Sequence, residues 1–394
     1  MKQIDSFRLL YAYGGCSPRK YREYVESRGA RAQQQSQKYN QLLMEGFVRN
    51  GVEVHAVSSR PINRSLTRQF FFPGERDAEN GVEYTYLPFF NFPVLRHLSL
   101  FLCGFFHMVK SCREGSCRIL CDALNISVSA AAWLAGKLCG VPVFAIITDV
   151  PCHRPAGVKA GLAEHIDLWL MGRFDGYLLL TEDMNDLVNP GGRPYVVLEG
   201  HADLSMKNRE NRPENKAEGP VVLYAGTLRK IYGIEMLVRG FLQADIPGAE
   251  LHIYGDGDFA GELRELARED ARIHYMGIAP NAEIVEAELR ASLLVNPRPT
   301  HEEYTRYSFP SKNMEYMASG TPVLTTRLPG MPEEYLPYVH LIEEETVEGV
   351  AKALTDALGT GAEELHRRGM EAREFILREK NNAVQAAKVM ELLR

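Results

Sequence analysis

"RYSFPSKNMEYMASGTPVL", Arg306 to Leu324, is the stretch on which the reading of the whole chain turns. A proline-framed loop leads into about ten residues of helix-forming sequence, which stop at Gly320 with Pro322 just beyond. Pro310 suits a first helical turn, Ser308 a cap, and Gly320 a left-handed stop. Ten residues make a helix of roughly 15 Å. Lys312 and Glu315, three apart, share one face of it. A cation in a first turn opposes the helix dipole. A bound phosphate at that end reverses the sign, and Glu315, one turn on, is placed to accept two hydroxyls of a ribose or sugar. The plainer reading is an i,i+3 salt bridge on a surface helix, which contributes little.

Outward from this helix, strand and helix signals alternate in both directions. "VVLYAG", "GIEMLVRGFLQA", "AELHIYG", "FAGELRELARE", "RIHYMG", "NAEIVEAELRA" and "SLLVNP" lead into it, and "TPVLTT", "VHLIE" and "TVEGVAKALTDAL" follow. Further back, "FRLLYAY", "SQKYNQLLMEGFVRNG", "VEVHAVSS", "CRILCDA", "SVSAAAWLAGKLCG", "VPVFAIITD", "DGYLLLTE" and "PYVVLEG" repeat the rhythm. Such alternation predicts parallel sheets covered on both faces. Between the two series "MKNRENRPENKAEGP" is polar, holds two prolines and lacks apolar spacing, which reads as a linker. The expected organisation is therefore an α/β chain of two doubly wound domains. Residues 1–204 form the first, 205–219 a linker, and 220–375 the second. Residues 376–394 belong to a closing helix, begun near Ala362, that returns to the first domain. Two such halves facing each other leave a cleft at the carboxyl ends of their strands, where ligands bind in these sheets.

Length and composition agree. A chain of 394 residues exceeds one ordinary domain, and 45% apolar with 24% charged residues is a globular composition. The net charge of −6 argues against a general nucleic-acid binder. Residues 1–200 hold 22 Lys and Arg against 19 Asp and Glu; residues 201–394 hold 23 against 32. Arg19, Lys20, Arg22, Arg28 and Arg31 crowd one segment, either as a solvated loop face or as contact with an anionic surface or acceptor. Seven cysteines without metal-type pairing suggest reduced thiols and a cytoplasmic setting, and no signal peptide is visible at the start. The most apolar segment, Phe89 to Lys110, is interrupted by Pro93, Arg96 and His97. Its clean run, Leu98–Phe106, is far short of the ~20 residues needed to span a bilayer, and the segment reads as a buried or half-buried helix, with interfacial membrane contact as the alternative.

Three further places carry chemistry. Gly14-Gly15, after the first strand, lets backbone amides approach a phosphate; it is not the G-x-G-x-x-G of a dinucleotide site, which excludes a dehydrogenase. Gly226-Thr227, with Arg229 and Lys230 following, is a glycine turn plus cations at a helix start, which suits a diphosphate, though an exposed basic loop has the same composition. Cys117 and Cys121 have no partners to complete a zinc set.

"LYAGTLRKIYGIEML", "ELHIYGDGD", "IHYMGIAP" and "SFPSKNMEYMASGTPVL", in this order, resemble the C-terminal domain of family 4 retaining glycosyltransferases of the GT-B fold over most of residues 220–375. The first half is similar in layout. The resemblance implies that Glu315, matching the second glutamate of the family's E-x7-E motif, holds the donor's ribose. The first glutamate falls at Tyr307, so the sugar contact is either lost or reassigned to Glu302 or Glu303. The family's phosphate-binding Arg and Lys fall at Thr227 and Tyr232, and Arg229, Lys230 and Lys312 are their replacements. The base sits around Gly277 and Ile278. Asp149 matches the end of the family's His-Asp pair, with Thr148 in place of the histidine and His153 nearby.

The implied activity is transfer of a sugar from a UDP- or GDP-type donor to an acceptor hydroxyl. The anomeric configuration is kept, and neither a cofactor nor an essential metal takes part. Fixed cations and amides meet the departing diphosphate, and the acceptor hydroxyl passes its proton to the leaving phosphate oxygen. Asp149, Lys312 and Arg229 are the expected catalytic residues. The expected acceptor is a saccharide or a lipid-linked saccharide at the inner membrane face, as in cell-surface polysaccharide synthesis. A GT-B epimerase and a non-catalytic nucleotide-sugar-binding partner of a synthase share the sequence pattern.

Overall fold

The computed structural model describes residues 7–25, 27, 34–150 and 161–394. The chain divides into two compact units: unit 1 is Met1–His201 with Asn382–Arg394, and unit 2 is Ala202–Asn381.

Unit 1 runs β1 (Arg8–Tyr13), α1 (Pro18–Tyr24), α2 (Gln34–Arg49), β2 (Glu53–Ser58), β3 (Phe71–Phe72), β4 (Glu75–Glu79), β5 (Val82–Tyr86) and β6 (Phe89–Phe90). It continues with α3 (Pro93–Arg113), β7 (Cys117–Asp122), α4 (Ile126–Cys139), β8 (Val143–Ile147), α5 (Leu162–Met171), β9 (Gly176–Leu179), α6 (Asp183–Val188) and β10 (Tyr195–Val197). Its main sheet has the order β10-β9-β8-β7-β1-β2-β5-β4, parallel except where β4 returns antiparallel on β5. Strands such as "VFAII" are buried along their whole length because helices cover both faces. That is why they read as unbroken apolar runs.

Unit 2 runs β11 (Val221–Ala225), α7 (Ile234–Gln243), β12 (Glu250–Tyr254), α8 (Ala260–Glu269), β13 (Ile273–Gly277), α9 (Asn281–Arg290), β14 (Leu293–Asn296) and α10 (Ser311–Ser319). Then come β15 (Val323–Thr325), β16 (His340–Leu341), α11 (Val347–Gly359) and α12 (Ala362–Glu379). Its all-parallel sheet has the order β13-β12-β11-β14-β15-β16. Counted from its own first strand this is the doubly wound order 3-2-1-4-5-6, which reverses between β11 and β14. Unit 1 reverses in the same way between β1 and β7.

The closing stretch is two helices rather than one. α12 stays in unit 2, and α13 (Asn382–Leu392) belongs to unit 1, so the return begins at 382. There Ala386, Val389, Met390 and Leu393 join Leu43, Met44 and Phe47 of α2 in one apolar core. Asn382 Nδ2 donates to the Leu42 carbonyl at 3.0 Å, and Gln385 Nε2 to that of Gly200 at 2.7 Å.

Residues 205–219 do not behave as a free linker. Buried Asn211 donates to the Ser319 carbonyl at 2.9 Å and to Thr321 Oγ1 at 3.1 Å. Lys216 donates to the Ala291 carbonyl at 2.9 Å and to Thr321 Oγ1 at 2.8 Å, and burial pushes its ammonium down to about 8. Side-chain hydrogen bonds take the place of apolar spacing, so the segment folds onto unit 2 without any periodic signal.

The basic segment is also less free than its composition suggests. Arg19 pairs with Asp77, and Lys20 with Glu75 at 2.7 Å and Glu23 at 3.1 Å. Arg28 and Arg31 lie outside the described residues. The apolar segment forms α3, half-buried, with Leu100, Gly104 and Met108 inward. Among the described residues no helix is long and apolar enough to cross a membrane, and the described cysteines are free thiols.

Candidate active site

α10 is held against both strands at which the unit 2 sheet reverses. The Tyr316 hydroxyl accepts from the Ala225 N–H at 2.8 Å and donates to the Ala225 carbonyl at 3.2 Å, fixing the helix to the end of β11. Asn296, the last residue of β14, donates to Asn313 Oδ1 at 2.7 Å. The helix start is therefore set at the carboxyl edge of the sheet, where ligands bind in this topology. Its N-cap is Pro310, with no side chain bonded to the first-turn amides. Ser308, expected as the cap, instead has a buried hydroxyl without a partner. The uncapped amides keep their capacity for an anion.

Lys312 and Glu315 form an ion pair at 2.7 Å, each side chain about one-quarter exposed (26% and 24%). Burial pulls the ammonium pKa down, but the charges of Glu315 and Glu288 and the hydrogen bond to Glu315 outweigh it. Lys312 is held protonated above its ordinary range.

The turn after β11 is built by close backbone contact. Gly255 has φ 132°, and a Cβ there would overlap the Gly226 carbonyl. The Leu228 N–H donates to the Asp256 carbonyl at 2.9 Å, and the Phe259 N–H to the Leu228 carbonyl at 3.0 Å. The glycines of "YGDGD" thus serve this packing. Thr227 is exposed, its carbonyl accepting from Tyr224 Oη at 2.9 Å.

The two cations that follow have different fates. Lys230 is bound by Glu262 at 2.7 Å and Glu235 at 3.1 Å, with Arg239 bridging the same two carboxylates. Those hydrogen bonds, Glu262 first, raise its pKa. Those two carboxylates would compete with a diphosphate for Lys230, whose side chain is about half exposed (49%). Arg229 instead lies over the Tyr232 ring, 5.5 Å from its centroid.

Sequence reasoning missed Arg298, two residues beyond β14. Its guanidinium lies 4.8 Å from the Tyr232 centroid and 5.8 Å from that of Tyr304, and the two rings stand edge to face at 5.8 Å. Gly233, at φ 77°, lets the backbone before α7 press on the Pro297 carbonyl, where a Cβ would not fit. Arg229 and Arg298 thus share one aromatic platform, and neither guanidinium has a carboxylate partner among the described residues. The signal for Arg298 was its place: a cation directly after a strand at the reversal of the sheet.

Gly277 ends β13 at φ 67°, accepting from the Gly255 N–H at 2.7 Å, and Ile278 beyond it is 55% exposed. Tyr307 is half-buried. Glu303 begins a short 3-10 turn and is exposed, and Glu302 lies 3.6 Å from the His301 imidazole.

In unit 1 the expected glycines are filled in by protein. Gly14 and Gly15 are buried; Asn125 lies against the first, and Gln37 and the Tyr13 ring against the second, whose carbonyl accepts from Ser58 Oγ. Beside them, Asp122 at the end of β7 is buried and accepts from Asn40 at 3.1 Å, Ser36 at 3.4 Å and the Leu124 N–H at 3.0 Å. Burial raises its pKa, these hydrogen bonds opposing the shift. Asp149 is exposed two residues beyond β8, its carboxylate accepting from the Val150 N–H at 2.9 Å. His153 lies outside the described residues.

Among the described residues one grouping has metal-ligand character: Glu250, His252 and His274, whose ligand atoms lie within 4.8 Å of one another. It begins at the first residue of β12, the amino end of the strands, and so belongs to another part of the unit than α10.

A chain whose two sheets both reverse in this way, with cations at one reversal, is a GT-B-type α/β protein. Solved structures agree on the fold. HepE of Anabaena in complex with UDP is 14% identical, with a TM-score of 0.65, 98% of this chain and 99% of that chain being covered. Sucrose-phosphate synthase of Thermosynechococcus elongatus is 14% identical at 0.64, with 98% and 99% covered. The α,α-trehalose 6-phosphate synthase of Burkholderia multivorans is 12% identical at 0.68, with 99% and 96% covered. HepE is also known in complex with UDP-glucose. No curated protein matches the sequence. Family models match both halves: residues 36–197 as a glycosyl transferase 4-like domain, and residues 219–360 as glycosyl transferases group 1. The chain belongs to the group 1 glycosyltransferases.

Proposed function

We propose that this glycosyltransferase takes a nucleotide-diphosphate sugar of UDP or GDP type and moves its sugar, with retention, to a hydroxyl of a saccharide or lipid-linked saccharide. The observation that carries the reading is the carboxyl edge of unit 2. There an uncapped helix start and a protonated lysine paired to a carboxylate on one face of α10 accompany the platform of Arg229 and Arg298 beyond β11 and β14. HepE, with the same fold, binds UDP and UDP-glucose.

In this reading the donor diphosphate takes Lys312 and the first-turn amides of α10, with Arg229 beside them, and Glu315 is released to the ribose hydroxyls. The Lys312–Glu315 pair is then the resting form of the site. Separating it costs little net energy, because each partner exchanges one charged or polar contact for another. As the glycosidic bond breaks, charge moves onto the leaving diphosphate, where fixed cations and amides stabilise it most. The acceptor hydroxyl forms the new bond to the anomeric carbon on the face the diphosphate leaves, and gives its proton to the leaving phosphate oxygen. No protein base or metal is then required. The resemblance assigns Gly277 and Ile278 to the base and Asp149 to the sugar end of the reaction.

The test is thermal stabilisation by a panel of nucleoside diphosphates and their sugars, with Lys312→Ala and Glu315→Ala alongside. A shift with one nucleotide series that both substitutions abolish supports the reading and names the base. Shifts untouched by them, or none at all, overturn it. Binding without release of nucleoside diphosphate, across a panel of saccharide acceptors, favours a non-catalytic partner.

A further inference from the structure

One face of unit 1 is apolar where a water-facing helix is polar. Along α3, Leu95, Leu98, Leu102 and Phe106 lie three or four residues apart and are 42%, 51%, 41% and 65% exposed. That spacing is a single stripe, opposite the Leu100, Gly104 and Met108 face that packs inward. Continuing the spacing, the last turn carries exposed Lys110 and Arg113. At the other end the β3–β6 ladder presents Phe70, Phe71 and Phe90, with ring centroids 5.1 to 5.5 Å apart, and Arg64 lies over the Phe92 ring at 5.3 Å. Beside the stripe a hollow of about 330 Å³ opens between α3, α4 and α5, lined by His97, Phe101, Trp133 and Trp169 among others. The guanidinium of Arg173 lies over Trp169 at 4.8 Å.

The α3 stripe and the β3–β6 end carry charge of one sign, while Glu114, just past α3, lies 3.8 Å from Lys110 and α5 carries Glu164 and Asp167. Residues 61–74 and 87–113 contain no acidic residue, and α4 has none. Arg64, Arg68 and Arg113 have no carboxylate partner among the described residues. A second copy docked face to face would bring these cations against themselves, because a two-fold interface is self-complementary. An acidic headgroup layer over an apolar interior matches both parts: leucine and phenylalanine reach the acyl boundary, and lysine and arginine snorkel to the phosphates.

We propose that α3, with the β3–β6 aromatic end, seats unit 1 on an anionic bilayer surface, lying in the interface and not crossing it. This inference is independent of the donor site, since every residue it uses is in unit 1 and α10 is in unit 2.

Flotation of the full chain with vesicles, without nucleotide, tests it. Binding is expected to vesicles of phosphatidylcholine mixed with phosphatidylglycerol, to weaken with salt, and to be much weaker with phosphatidylcholine alone. Leu98→Ser, Leu102→Ser and Phe106→Ser together, and separately Lys110→Gln with Arg113→Gln, each lower binding about tenfold or more. All five side chains are exposed, so the melting temperature stays close to that of the parent. Equal binding by parent and variants, binding without preference for anionic lipid, or no binding overturns the proposal. So does a solution dimer that the apolar substitutions dissolve, which would identify a second copy as the occupant.

Discussion

The two units reverse their sheets in the same order, yet the reversals are furnished in opposite ways. Among the described residues the crevice between β1 and β7 of unit 1 is closed: Gly14 and Gly15 lie against Asn125 and Gln37, and Asp122 is buried among hydrogen-bond donors. Between β11 and β14 of unit 2 the crevice has an uncapped helix, an ion pair one-quarter exposed, and two arginines on tyrosine faces. Topology offers a position for a ligand; the residues at the strand ends decide whether it is kept open. A glycine pair after a strand is therefore weak evidence of a phosphate site until its neighbours are known.

The sharpest way to separate the units is to delete residues 382–394. This strips unit 1 of Ala386, Val389, Met390 and Leu393, on the order of 5–10 kcal/mol of apolar burial, comparable to the stability of a whole domain. Unit 1 is expected to lose its cooperative melting transition while unit 2 retains one, which calorimetry resolves. Next in size, Lys312→Ala lowers turnover about 100-fold or more, whereas Asp122→Asn in the closed crevice leaves affinity for nucleoside diphosphate within about threefold; calorimetric titration and steady-state kinetics check the pair. Arg298→Ala weakens donor binding about tenfold, while Lys230→Ala, removing a cation already spoken for by two carboxylates, changes it less than about threefold. Tyr316→Phe leaves the Ala225 N–H without its acceptor and destabilises unit 2 by about 1–3 kcal/mol in a denaturant melt.

The smallest effect concerns acid. His107 of α3 is pushed down to about 4, first by burial and then by the neighbouring His55, 5.3 Å away ring to ring. Burial lowers His55 as well. Both are neutral when folded, so the unfolded chain takes up protons first as pH falls below about 6.5. Their contribution is thus present above that value and is lost as pH falls toward 4. His107→Phe flattens this limb down to about pH 4 in a pH series of melts.

Much of the architecture was legible because doubly wound sheets write themselves as apolar runs between helices. The α10 stretch was legible because helix punctuation and charged residues compete in it. What escaped has a common cause. The segment 205–219 is fixed by Asn211 and Lys216 reaching backbone and hydroxyl acceptors some hundred residues away, and no local pattern records such bonds. The pairing of Lys230 was hidden because its two carboxylates come from α7 and α8. Arg298 looked like loop framing because Tyr232, the nearer of its two aromatic supports, is remote in sequence. Ser308 had the right chemistry for a cap, but the chain enters α10 through Pro310.

Ala202 and Asn381 form an isolated parallel β-bridge, and the Ala202 N–H reaches the Lys380 carbonyl at 2.9 Å. The chain thus enters and leaves unit 2 through a single doorway. In topological terms unit 2 is a cassette set into an otherwise continuous domain, and its two ends already meet. Residues 202–381 are consequently suited to excision in one piece, to circular permutation through a short joining loop, and to exchange for another cassette without rerouting the host fold.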